Sequence, residues 1–218
     1  MYSSTLRVRF CREEATASSA SGSRASALVL DTAGRLIIAG ASGSAATLWR
    51  YTAAGALDSS FGVLGQRQTV DSAHSPVFTD LTVDSGAIYV SGYTVDNAFA
   101  LQPFVAFYDP SGAPLNTIAN SQVGFPRHFS MIPGGTGVET ASALALKGTQ
   151  LTVVGSGLNA GVSSVLAYRV SIHGAYSTTF GSASSGATDI ALALDGALHV
   201  TGDKTINCET APAVLKLN

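Results

Sequence analysis

The chain repeats itself four times, and a repeat leaves few folds open to it. The copies read ALVLDTAGRLIIAG over 27–40, LTVDSGAIYVSG over 81–92, LALKGTQLTVVG over 144–155 and LALDGALHVTG over 192–202. Each is a short apolar segment, a tight turn and a second apolar segment closed by glycine. The turn glycines are Gly34, Gly86, Gly148 and Gly196; the closing glycines are Gly40, Gly92, Gly155 and Gly202. Turn and closing glycine lie six residues apart in three copies and seven in the third, whereas successive closing glycines lie 47 to 63 apart. The hairpin is held constant while the rest varies. Such a unit cannot bury its apolar face alone and must stack on its neighbours.

The hairpin arms are strands. Arg35–Ala39 and Ala87–Val90 are rich in the branched and aromatic residues that suit a pleated surface. The turns carry aspartate and glycine at Asp31 to Gly34, Asp84 to Gly86 and Asp195-Gly196. Aspartate bonds its own backbone, and glycine accepts the positive φ that a hairpin turn needs. A third strand follows in each copy: Ala46–Tyr51, Pro103–Tyr108, Val165–Val170 and Ala213–Leu217. Three of these run into turns at Gly55, Gly112 and Gly174, and a fourth strand is expected over 65–70 and 115–122. No stretch keeps a helical period. The pattern predicts an all-β, β-propeller-like fold of about four blades, each a four-stranded antiparallel meander. It forms one domain over 1–218, with an N-terminal strand at 4–10 and repeats at about 25–70, 78–122, 140–181 and 187–218.

The first copy carries a longer signature: Asp31, Gly34, Arg35, Ala39, Gly40, Arg50, Tyr51, Gly55, Leu57, Asp58, Ser60, Phe61 and Gly62. It resembles the delta-60 repeat, a bacterial repeat family. The third copy keeps Gly174, Thr178, Phe180 and Gly181; the second lacks the S-F-G element and the fourth does not reach it. The resemblance covers about 25–218. It implies a β-propeller-like, extracytoplasmic bacterial protein, and it supplies no catalytic residues.

Only 12% of residues are charged and the formal net charge is −2. A nucleic-acid binder would need a basic stripe. No apolar run approaches the ~18–20 residues of a membrane-spanning helix. Arg7 and Arg9 fall where a signal peptide would need an apolar core. Low charge and abundant Ser, Thr, Gly and Ala nevertheless favour a secreted or cell-surface protein whose export signal is not within this chain. A cytosolic protein is the other reading.

Within 4–10, Leu6, Val8 and Phe10 alternate with polar residues. The segment precedes the first copy and belongs to none. It is expected to pair with the last blade and close the ring; a remnant of a preceding repeat is the alternative. The two cysteines, Cys11 and Cys208, flank the proposed seam. They are candidates for a disulfide if the chain is exported, and free thiols otherwise.

With the four strands of a blade called A to D in chain order, strand alternation puts the A–B and C–D turns on one side of every blade and the B–C loops and crossovers on the other. The B–C loops are expected at 41–45, 93–102, 156–164 and 203–212, and the longest crossover at 119–140. Variable loops on a rigid scaffold are where binding concentrates. Tyr93, Phe125, Arg127, His128 and Phe129 are therefore the candidate binding residues: a cation and an imidazole between aromatics suit a sugar, a carboxylate or a peptide. The competing reading has the phenylalanines packing the blade junction and the polar pair facing water.

Other chemistry is thin. No two of His74, His128, His173 and His199 stand at a metal-ligand spacing, and no C-x-x-C occurs. Gly155 to Ala160 matches G-x-G-x-x-A but leads into a strand, not the helix a dinucleotide site requires. Asp31, Asp58, Asp84, Asp109 and Asp195 recur because turns favour aspartate. The leading expectation is a non-enzymatic binding or scaffold module without cofactor or metal, acting on a protein or glycan ligand, and homo-oligomeric if its ring is incomplete. A lectin-like carbohydrate-binding propeller and a propeller-based hydrolase or lyase are the alternatives.

Overall fold

The computed structural model describes residues 23–69, 75–95, 100–115, 127–128, 138–159, 162–171, 182–183, 185–206 and 209–217. They form strands only, in four antiparallel sheets. The first sheet holds β1 (Arg24–Leu30), β2 (Leu36–Ser42), β3 (Ala45–Tyr51) and β4 (Gln66–Thr69). The second holds β5 (Ser75–Asp84), β6 (Ala87–Val95), β7 (Leu101–Tyr108) and β8 (Arg127–His128). The third holds β9 (Glu139–Lys147), β10 (Gln150–Asn159), β11 (Val162–Ser171) and β12 (Ser182–Ala183). The fourth holds β13 (Ser185–Leu192), β14 (Leu198–Ile206) and β15 (Glu209–Leu217). Each sheet is a meander in chain order, as the repeat predicted.

β4 falls at the expected site. In the second sheet Arg127–His128, inside the segment expected to be a crossover, pairs with β7; of the strand expected over 115–122 only Leu115 lies among the described residues, and its N–H donates to the Phe107 carbonyl of β7 at 2.8 Å. In the third Ser182–Ala183 pairs with β11. Two-residue strands carry no periodic pattern to read.

The core consists of three layers, one at each junction between consecutive sheets. Ile37, Ala39, Leu48 and Phe61 of the first repeat pack on Phe78, Leu81, Ile88 and Tyr108 of the second. Tyr89, Val105 and Phe107 pack on Leu144, Leu151, Val153 and Tyr168. Ala143, Val154, Val165 and Ala167 pack on Ile190, Leu198, Val200 and Leu217. In the second and third sheets one face is thus turned to the preceding sheet and the other to the following one. The first strands line up along the inner edge, β1 against β5, β5 against β9 and β9 against β13.

Every one of those first strands is bulged at the same place. The pairing skips Ser26, Thr79, Ser142 and Thr188, each two residues before a leucine or isoleucine at Leu28, Leu81, Leu144 or Ile190. A bulge bends its strand, and at each of these the carbonyl two residues before the skipped one is brought against the closing glycine. That explains the closing glycine. A Cβ at Gly155 would stand 1.8 Å from the Thr140 carbonyl oxygen, and one at Gly202 1.8 Å from that of Gly186. The Thr79 and Thr188 hydroxyls donate to the carbonyls of Ser91 and Thr201 at 3.2 and 3.1 Å.

Candidate binding face and the turns that oppose it

At the B–C end of the sheets, ladders replace the expected loops. Tyr93 is not in a loop: it lies in β6, paired with Val77 and Pro103, and is half-buried. Ser156–Asn159 pair with Val162–Val165, and Asp203–Ile206 with Glu209–Pro212. The first strand of each sheet runs along part of these ladders too, pairing Tyr93–Val95, Ser156–Gly157 and Asp203–Lys204. Glycine, serine and asparagine in these stretches hid the strands, because they are poor strand formers that a ladder nonetheless accommodates.

Between the first two hairpin ends lies an open cleft of about 370 Å³. Arg24, Ala41, Gly43, Ser75, Pro76 and Val77 line it. Gly43 supplies a positive φ of 62° at the β2–β3 turn. Arg24, exposed, is the cation that lines this cleft. A smaller cleft of about 130 Å³ on the fourth sheet is lined by Thr201, Asp203, Lys204 and Val214 among others.

The backbone of Arg127 and His128 sits opposite Val105 and Phe104, on the outer strand of the second sheet. Phe125, Phe129, Cys11, Cys208 and the strand expected at 4–10 lie outside the described residues. Of the five candidate binding residues the structure describes three, Tyr93 within β6 and the backbone of Arg127 and His128 within β8.

The opposite end holds the most ordered polar cluster, and sequence reasoning did not find its role. The buried Arg50 side chain donates from Nε to Asp58 Oδ2 at 2.8 Å, from Nη2 to Ser60 Oγ at 3.0 Å, and from Nη1 to the Pro110 carbonyl of the next sheet. Its guanidinium lies 4.7 Å from the centroid of the fully buried Phe61 ring. Phe61 in turn packs so closely on Gly112 that a Cβ there would lie 2.7 Å from the ring. The Gly62 N–H donates to the Ser111 carbonyl at 2.8 Å. The R-Y…L-D-x-S-F-G signature is therefore a clamp that holds one repeat's C–D turn against the next repeat's. The spacing of Arg50 to Asp58 was the available signal.

Four turn carboxylates are held below the usual range, the exposed Asp195 chiefly by the Ala197 N–H. At Asp58 the Ser60 hydroxyl contributes most, then the Ser60 N–H and Arg50, against the opposing effect of burial. At Asp109 the Ser111 hydroxyl contributes most, with N–H donors from Ala113, Ser111 and Gly112. At Asp31 burial is the largest influence and pushes up, but Arg35 and the Ala33 N–H together outweigh it. These are turn devices whose oxygens are already used.

Asp80 differs. It stands on the inner edge of β5, where its Oδ2 accepts the Leu144 N–H of the next sheet at 2.9 Å and its Oδ1 accepts the Leu81 N–H at 2.8 Å. Burial raises its carboxyl above the usual range despite both donors, and the nearby Asp189 charge pushes the same way. Asp189 is the matching residue of β13, and its Oδ1 accepts the Ile190 N–H at 2.8 Å. Among the described residues no three His, Cys, Asp or Glu side chains are placed to hold a metal ion, and no helix is long and apolar enough to cross a membrane. A scan of protein-family models and a search of curated proteins found no match to this chain.

Proposed function

We propose that the four sheets are blades of a small propeller-like ring of the delta-60 type, and that the protein is a non-enzymatic, extracytoplasmic binding or scaffold module. The cleft between the first two projecting hairpins carries this reading. It pairs one exposed cation, Arg24, with backbone groups and the hydroxyls of Ser23, Ser44 and Ser75. That combination suits a carboxylate-bearing glycan or an extended acidic peptide, since a guanidinium binds carboxylates in a two-pronged fashion. The polar groups best placed for chemistry, Asp58, Asp109 and Arg50, are committed to turns and the inter-sheet clamp. The lectin-like alternative gains from the same cleft but would need it repeated; the 130 Å³ cleft on the fourth sheet is lined differently.

The test is an array of acidic and neutral oligosaccharides and peptides probed with the full chain and with Arg24→Ala. The expected result is an acidic ligand whose binding weakens at least tenfold in the variant. A ligand bound equally by both proteins would move the site elsewhere. Turnover of an arrayed glycan would replace the module reading with the enzymatic one.

A further inference from the structure

We propose that the cleft between the third and fourth sheets is a second binding site, and that it takes a small aryl carboxylate: one benzene ring seated over Gly202 and Ala213, with its acid group on Lys204. The inference goes beyond the reading of the Arg24 cleft and does not rest on it.

The repeat itself shows what fills this space. Two residues flank the closing glycine of a sheet, one on the first strand and one on the third, and both face the preceding sheet. In the second sheet they are Phe78 and Phe104, on either side of Gly92. Both are fully buried, with ring centroids 5.9 Å apart. The Phe104 ring covers Gly92 so closely that a Cβ there would lie 2.8 Å from it. In the third sheet the pair is Ala141 and Leu166, beside Gly155. In the fourth it is Ala187 and Ala213, beside Gly202, and neither ring is present. The facing wall does not replace them. Where the first sheet offers Ala39, Ala46 and Leu48, the third offers Val154, Val165 and Ala167, a set of nearly equal bulk.

The cleft of about 130 Å³ lies where those rings would stand. Val165 lines it from the third sheet, and Val200, Gly202, Ala213 and Leu215 from the fourth. Leu215 is 40% exposed, whereas Ala106, at the same place in the second sheet, is fully buried. Apolar surface is thus left open inside the cleft. An apolar cavity of ~150 Å³ takes one benzene ring, so the volume suits one ring and not two.

Lys204 supplies the charge. It stands two residues beyond Gly202 on β14, roughly 6.7 Å along the strand, and alternation keeps it on the same face. Asp203 also borders the cleft, but alternation turns its side chain to the other face. Lys147 donates to the Gly196 carbonyl and Lys216 to Asp195. The exposed Lys204 ammonium has no such partner among the described residues. A carboxylate carried by a ring over Gly202 reaches it, so the apolar floor selects the ring and the rim selects the acid.

The test titrates the isotope-labelled full chain with phenylacetate, with benzyl alcohol as the neutral ring and acetate as the acid without one. Phenylacetate should shift the amides of Val200, Gly202, Ala213 and Leu215 and bind more tightly than either control. Lys204→Gln should weaken phenylacetate by roughly threefold or more, the worth of an exposed ion pair, and leave benzyl alcohol unchanged. Ala213→Phe, which supplies the ring of the second sheet, should abolish binding of both. Phenylacetate that shifts none of these amides, or that binds Ala213→Phe as it binds the native chain, overturns the site. Equal binding of phenylacetate and benzyl alcohol, indifferent to Lys204→Gln, overturns the acid. The amide map of the native chain decides the matter if Ala213→Phe does not fold. Arg24→Ala should bind phenylacetate unchanged; a loss there would assign the acid to the first cleft and overturn this one. Acetyl-Gly-Gly-Phe, run beside phenylacetate, separates a chain terminus from a free acid as the source of the same chemistry, and tighter binding of either at these amides supports the site.

Discussion

At the residue scale, the two glycines of each hairpin do different work. Gly148 has φ of 57° with open space where a Cβ would go, so Gly148→Ala should cost only the left-handed penalty, about 1–2 kcal/mol. Gly155→Ala instead drives a methyl into the Thr140 carbonyl of the bulge, and about 3 kcal/mol or more is expected. Urea midpoints of the two variants decide it; equal losses would refute the bulge as the reason for the closing glycine. Asp80→Ala leaves the Leu144 and Leu81 N–H groups without their acceptor and should cost about 1–3 kcal/mol, with Asp80→Asn intermediate. Acid should act through the turn carboxylates. Asp31, Asp58 and Asp109 are depressed in the folded chain, so their stabilisation is present above the unfolded carboxylate value of about 3.9 and is lost as pH falls through the lower folded values. Asp80 has the opposite sign: its raised carboxyl favours the folded state as it protonates. Melting temperature should therefore fall below about pH 4, and Asp58→Asn should flatten that fall; an unchanged slope would count against the turn carboxylates as its cause.

At the scale of elements, the Arg50 clamp is the strongest single link between two sheets. Removing the cation by Arg50→Ala strands Asp58 and uncovers Phe61, for a loss of about 3–5 kcal/mol. Arg50→Lys should recover little, because one ammonium cannot reach Asp58, Ser60 and the Pro110 carbonyl together. Chemical denaturation of both variants measures this, and a near-native lysine variant would argue that charge alone matters. The hairpins were legible in the sequence because apolar alternation and Asp-Gly turns coincide four times. The fourth strands were legible only at β4, where Gln66–Thr69 is long enough to follow a glycine turn visibly. At β8 two residues suffice to pair with β7, and pairing that short is decided by tertiary position, not by pattern. The same limit hid the site. Tyr93, expected in a loop, lies in β6, and Arg24 was missed because it opens a strand, with no motif around it.

For the whole molecule, stability is distributed as in a stacked array, where each unit is held by its neighbours. The second and third sheets each face two apolar layers, while the first and fourth each face one of the three described. Exchange protection should therefore be highest in β6 and β10 and lower in β2 and β14. Uniform protection across all four sheets would mean that the outer faces are covered as completely as the inner junctions. The inner edge also has a grammar of its own. After the bulge, the first and third copies carry alanine at Ala27 and Ala143, and the second and fourth carry Asp80 and Asp189. An aspartate on one sheet serves an amide on the next, and the sheet that follows it offers none in return. The second and third sheets are thus joined as the giver and the taker of one hydrogen bond. A second sheet exchanged for a copy with alanine at this position would leave the Leu144 amide without its acceptor, so these two copies are not interchangeable with the others.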